Sequence, residues 1–236
     1  MNNQYQLVYV WSKYLRFFHW LNVLTISMLL IIGLIIFNAK SLGVSVEGKI
    51  LLKTIHVIIG YFFAANLLFR IVLGFFGKGY ERWHKTLPFT KNFTKDLKDF
   101  THNPNKKYKG HNPLGKLMVG ALLLSMFIQM VSGLVIAGTD IYYPPFGKYF
   151  AKSIAIDKNK IELVQPYSKE NVDAQAYQAM RDIRKPFITA HVYAFYTLLF
   201  LIPLHIIGVI IGERREKTAL VSSMINGYKY LPKKDE

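Results

Sequence analysis

Four long apolar runs, at roughly 14–37, 50–76, 114–137 and 187–211, constrain this chain more than any other feature. A helix needs about 20 residues to cross ~30 Å of hydrocarbon, and each run is long enough. Lysine and arginine are almost absent from the runs and gather between them, so the net charge of +16 is segregated from the apolar surface. With 52% hydrophobic residues, the chain reads as a polytopic membrane protein rather than a soluble domain. The first run follows Lys13 and Arg16 as a signal peptide would, but its apolar core exceeds the usual ~7–15 residues and no A-x-A site follows. It is expected to remain as a helix. The expected fold is all-α, a four-helix transmembrane bundle forming one domain over 1–236. A long outer loop at 138–186 joins helices three and four, and a tail follows at 212–236.

Orientation comes from the connecting segments. The N-terminal arm, the loop from Lys78 to Lys116 and the tail share one side and carry a net +11. The opposite side, 38–53 and 138–186, carries +4. The positive-inside rule then places both termini in the cytoplasm. A lysine-rich loop beside a bilayer is accounted for by topology and anionic headgroups, and gives no reason to expect nucleic acid as a partner. The sequence has no cysteine, which excludes disulfides, iron–sulfur ligation and covalent haem attachment through C-x-x-C-H.

Seven histidines remain to be explained. His84, His102 and His111 fall in the basic loop, where a solvated histidine needs no special role. His19, His56, His191 and His205 fall within the apolar runs, where ionisable groups are costly and mostly functional. At ~1.5 Å per residue, His19 and His205 reach one membrane level, and His56 and His191 the other. His191 and His205 are fourteen residues apart, about 21 Å and four turns less ~40°, so they leave one helix face at two depths. Each thus has a depth-matched partner on another helix. Such pairing suits two planar metal macrocycles, each ligated from both faces by imidazole, better than zinc, which wants four ligands at one point. The plain alternative is that the four histidines are packing residues. Gly60 and Gly208 read either as room for a macrocycle or as ordinary helix-packing glycines. Arg70 reads either as a propionate partner at the level of His19 and His205 or as a side chain snorkelling to the surface. Arg16, three before His19, is a second propionate candidate.

The blocks RFFHWLNVLTISMLLIIGL, HVIIGYFFAANLLFRIVLGFFG, GHNPLGKLMVGALLLSMFIQMVSGL and HVYAFYTLLFLIPLHIIGVIIGERREKTALVSSMINGYK carry a resemblance. Together they are similar to the bacterial cytochrome b561 family, which includes the cytochrome b subunits of Ni,Fe-hydrogenases. The resemblance covers about two thirds of the chain. It implies a protein of the bacterial cytoplasmic membrane holding two non-covalent b-type haems through His19, His56, His191 and His205. It also implies electron transfer between a periplasmic oxidoreductase or cytochrome partner and the quinone pool of a respiratory chain. The loop at 138–186 departs from a compact member of the family; a short helix is expected near 168–184, and YYPPFG reads as a tight aromatic turn.

A competing expectation is a stand-alone oxidoreductase that passes electrons between a small soluble reductant, superoxide included, and quinone. It would need an outer pocket, for which Lys53, Tyr142 and Tyr143 are the candidates. A third is a haem-free anchor or transporter.

Overall fold

The computed structural model of the chain describes residues 5–89, 92–103 and 106–233, so the last three residues of the expected tail lie outside the described residues. In chain order the elements are β1 (Tyr5–Tyr9), α1 (Lys13–Phe37), α2 (Val46–Phe76), α3 (Trp83–Thr86), α4 (Phe93–His102), α5 (Pro113–Asp140), α6 (Gly147–Ile154), α7 (Ala174–Glu216), α8 (Leu220–Asn226) and β2 (Tyr228–Pro232). Among the described residues, four helices are long and apolar enough to cross a membrane: α1, α2, α5 and α7.

Each of these four begins at a side-chain cap that satisfies a free helix N–H. Ser12 Oγ accepts from Leu15 N, Ser45 Oγ from Gly48 N, Asn112 Oδ1 from Gly115 N and Asp173 Oδ1 from Ala176 N. In α5 the cap is followed by Pro113 at the first helical position, where a missing N–H costs nothing. Large apolar side chains line the exposed surfaces of the long helices, as expected where the neighbour is lipid.

The fourth helix corrects the sequence reading. It starts at Ala174, not near 187, and runs unbroken for 43 residues through Pro186 and Pro203. The short helix looked for near 168–184 is therefore the opening of α7. Its first turns are polar, so hydropathy does not mark them, while Asp173 and a run of Ala, Gln, Met and Arg favour helix locally.

The chain divides into two compact units, each assembled from separate stretches. The terminal unit takes residues within 1–21, 66–124 and 198–236. Here β1 and β2 pair antiparallel, Tyr5 opposite Pro232 and Tyr9 opposite Tyr228, so the two chain ends are joined directly. Val10, Trp11 and Leu15 form a small core beneath them. Lys229 of β2 is 1% exposed, and its ammonium donates to the carbonyls of Tyr108 and Gly110 at 3.3 and 3.1 Å. Burial lowers its pKa to about 8, which Glu216 and Glu213 partly oppose.

The loop unit takes 22–65 and 125–197. Its connection from α5 to α7 is not loose: Ala151, Ile154, Ala155, Val164, Val172 and Met180 make a core of their own. The YYPPFG segment turns tightly before α6, with Tyr142 at φ 55. Gly147 lies against the Tyr142 carbonyl so closely that any side chain would collide with it. Burial drives the Tyr142 hydroxyl up to about 12.

Candidate functional site

The four intramembrane histidines fall two to each unit, His56 with His191 in the loop unit and His19 with His205 in the terminal unit. In the loop unit, α2 and α7 bring the His56 and His191 rings to a centroid distance of 6.4 Å at 68° between planes. An imidazole nitrogen ligates a first-row metal at about 2 Å, with the ring centre about 1.1 Å beyond, so two imidazoles on opposite sides of one metal would have centres about 6.2 Å apart. The observed separation fits that arrangement, with the two rings edge-on to each other.

Tautomer follows from the hydrogen bonds. Ser132 Oγ donates to the Ile128 carbonyl at 2.6 Å, so its oxygen is left to accept from His191 Nδ1 at 3.0 Å. That places the His191 proton on Nδ1 and the free lone pair on Nε2, the usual disposition of a ligating histidine. His56 Nδ1 is buried without a partner. Two glycines let neighbouring helices close on these rings. A methyl at Gly133 of α5 would press on His191 Cε1 at 3.2 Å, and Gly33 of α1 faces His56 Cε1 at 3.5 Å. By contrast, a methyl at Gly60 or Gly208 would meet nothing within 4 Å. Within the chain, those two therefore border open space.

In the terminal unit, His19 and His205 lie within electrostatic range of each other. His19 Nδ1 is buried and unpartnered, and the ring meets Trp20 edge-on at 5.1 Å. The C-terminal segment reaches this end of α1: Trp20 Nε1 donates to the Met224 carbonyl at 2.8 Å, and Arg16 Nη1 donates to that of Ile225. Arg16 Nε is buried without an acceptor. Arg70 is 2% exposed, which rules out snorkelling. Its guanidinium donates to the Glu81 carbonyl at 2.9 Å and to Thr86 Oγ1 at 3.2 Å, and lies 4.3 Å over the Trp83 ring. It anchors the 79–86 turn.

His111 overturns its assignment as a solvated loop residue. Its ring packs on Trp11 at 4.7 Å, and Nδ1 is buried without a partner. Burial first, then the charges of Lys229 and Arg70, hold it down at about 3. Lys53 also differs from its expected role in an open pocket. It donates to Asp140 and to the Tyr167 hydroxyl, and Arg184 pairs with the other oxygen of Asp140 at 2.6 Å. Among the described residues, no three His, Asp or Glu side chains converge as a metal cluster.

Ser132, Gly133 and Gly33 were not singled out from the sequence. The Ser-Gly step inside an otherwise apolar α5 was the available signal, since both residues are poor helix formers.

The His56 and His191 imidazoles, paired on spanning helices with one Nδ1 proton fixed and glycines against the rings, suit a b-type haem. The chain belongs to the prokaryotic cytochrome b561 family, whose pattern it matches over residues 10–227, and it is a b-type cytochrome of membrane electron transfer. It is 24% identical, over 94% of its own length and 88% of the relative's, to a probable Ni/Fe-hydrogenase B-type cytochrome subunit of Rhizobium leguminosarum bv. viciae. No solved structure matches it.

Proposed function

We propose that the chain carries electrons across the bacterial cytoplasmic membrane between a periplasmic oxidoreductase and quinone, as the cytochrome subunit of a respiratory complex. In this reading it holds two haems b, one between His56 and His191 and one between His19 and His205. Both termini face the cytoplasm, as the charge asymmetry of the connecting segments indicates. The pairing of β1 with β2 supports the part of this reading that puts the two ends on one side.

His56, His191, His19 and His205 would hold the haems, which when bound would supply one-electron outer-sphere transfer. The residues around these ligands have roles of their own. Ser132 keeps the His191 proton on Nδ1 and so aims Nε2 into the site. Gly33 and Gly133 admit the backbone close to the ligand rings. Arg16 offers a buried, unpartnered N–H toward an acidic group near His19. Arg70 is held by the 79–86 turn and acts there first as a structural cation. The partner's side is supported by the kind of relative the chain resembles, a subunit named for a hydrogenase.

The observation that carries the proposal is the 6.4 Å separation of the His56 and His191 rings with Nδ1 of one fixed by Ser132. The stand-alone reading has weaker support, because Lys53 is tied to Asp140 and Tyr167 instead of lining an open pocket. The test is a haem count on protein purified after expression with haem supplied. Two haems per chain with the absorbance bands of six-coordinate b-type haem are expected. No haem, or one, would contradict the proposal.

A further inference from the structure

The terminal unit carries an open cleft of about 770 Å³ that the electron-transfer reading does not use. Its volume lies in the range of small-ligand pockets, ~300–1,000 Å³. One wall is apolar and is the last two turns of α2, with Phe69, Val72 and Phe76, facing Tyr14 of α1. Phe76 is 81% exposed, and Val72 and Tyr14 are about half exposed, so nothing among the described residues covers this wall. The other wall is cationic: Lys13, Lys78 and Lys109 all line the cleft, and all three are exposed. Among the described residues, none of the three forms an ion pair. The one acid in the lining, Glu81, is engaged by backbone. Its carboxylate is buried and accepts from the Lys78 backbone N–H at 2.6 Å.

A polar mouth of three lysines above an apolar wall that continues a membrane-spanning helix has the two-part chemistry of a lipid. We propose that this cleft is a binding site for one anionic glycerophospholipid. The phosphate and headgroup lie among Lys13, Lys78 and Lys109, and an acyl chain lies along Val72 and Phe76. Basic pockets beside spanning helices recognise acidic headgroups in this way. An acidic peptide would satisfy the lysines but leave Phe76 and Val72 uncovered. A free phosphate would leave the whole apolar wall uncovered. The site also has a consequence for the fold, since Lys13 starts α1, Lys78 follows α2 and Lys109 precedes α5. One bound headgroup would tie three chain segments together at the end of the terminal unit.

The test uses the full chain in detergent and native mass spectrometry, with phosphatidylglycerol and phosphatidylcholine of matched acyl chains. The wild type is expected to retain one phosphatidylglycerol and no phosphatidylcholine. At roughly fivefold in affinity per lysine, the triple variant Lys13→Gln/Lys78→Gln/Lys109→Gln should lose on the order of 100-fold. A control that removes three lysines of the loop unit, Lys148→Gln/Lys152→Gln/Lys160→Gln, should keep the lipid. Equal retention of both lipids, equal loss in the control, or displacement by millimolar inorganic phosphate would each overturn the proposal. Should the triple variant fail to fold, the wild type still decides. A photoreactive phosphatidylglycerol should label the peptides around 13–14 and 69–80, and labelling elsewhere alone overturns the assignment.

Discussion

The two histidine pairs are held by different means, and the difference separates what each part of the chain contributes. In the loop unit the support is internal to the helices: Ser132 of α5 holds His191 Nδ1, and Gly133 of α5 and Gly33 of α1 lie beside the His191 and His56 rings. Above them, Asp140 binds Lys53 and Arg184 together, one cation from α2 and one from α7. In the terminal unit the support comes from outside the spans. The segment after α7 returns to α1 through Trp20, Arg16 and the β1–β2 pair, and buries Lys229 against Trp11. The first pair rests on packing between the spanning helices themselves, and the second on contacts with a segment some 200 positions away.

The largest expected effect follows from that contrast. Deleting residues 217–236 removes α8 and β2, with every acceptor that Arg16 and Trp20 use. The haem count should fall from two to one, with the His56–His191 pair still loaded. Loss of both haems, or of neither, would erase the distinction.

The loop unit has its own weak point at Asp140. Its side chain is 18% exposed, and that of Arg184 12%. Asp140→Asn leaves two partly buried cations without their carboxylate, at a cost of about 2 kcal/mol after allowing for solvent screening. Thermal unfolding followed by haem release should show a lower midpoint for the loop-unit haem only.

Why these supports were not legible in the sequence is a matter of which signals are local. The spans could be read because hydropathy is a sum over neighbours, and the histidine levels because a helix has a fixed rise. The caps at Ser12, Ser45, Asn112 and Asp173 are also local, and attention to Asp173 would have placed the start of α7 correctly. His111 is another matter. Its burial depends on Trp11 and Lys229, which come from the two ends of the chain, and no window around position 111 contains them. The same holds for Asp140, whose partners lie 87 and 44 residues away. Arg70 was recognised as a special charge in a span, but its acceptors lie in a turn that hydropathy does not describe.

The buried, unpartnered Nδ1 of His111 gives the terminal unit a pH dependence. Its folded pKa of about 3 lies below the ordinary 6.5. Between those values the unfolded chain binds a proton that the folded chain does not, so stability falls as the solution is acidified. At pH 5 this amounts to about 2 kcal/mol. A His111→Gln variant should lose correspondingly less stability between pH 7 and pH 5 than the wild type. An unchanged pH slope would show that His111 is protonated when folded.

Ser132→Ala should have the smallest effect of the set. It removes the acceptor for His191 Nδ1–H without removing a ligand, and such changes weaken a metal site about tenfold or more. Haem at the loop-unit pair should be lost more readily to a competing apo-protein, with the terminal-unit haem unaffected.

The central claim is the pairing itself, and single-histidine variants test it most directly. His56→Ala and His191→Ala should each abolish the same component of a redox titration followed by absorbance, leaving one haem per chain. His19→Ala and His205→Ala should both abolish the other component. If His56→Ala and His191→Ala instead remove different components, the two histidines do not share a haem and the account is wrong.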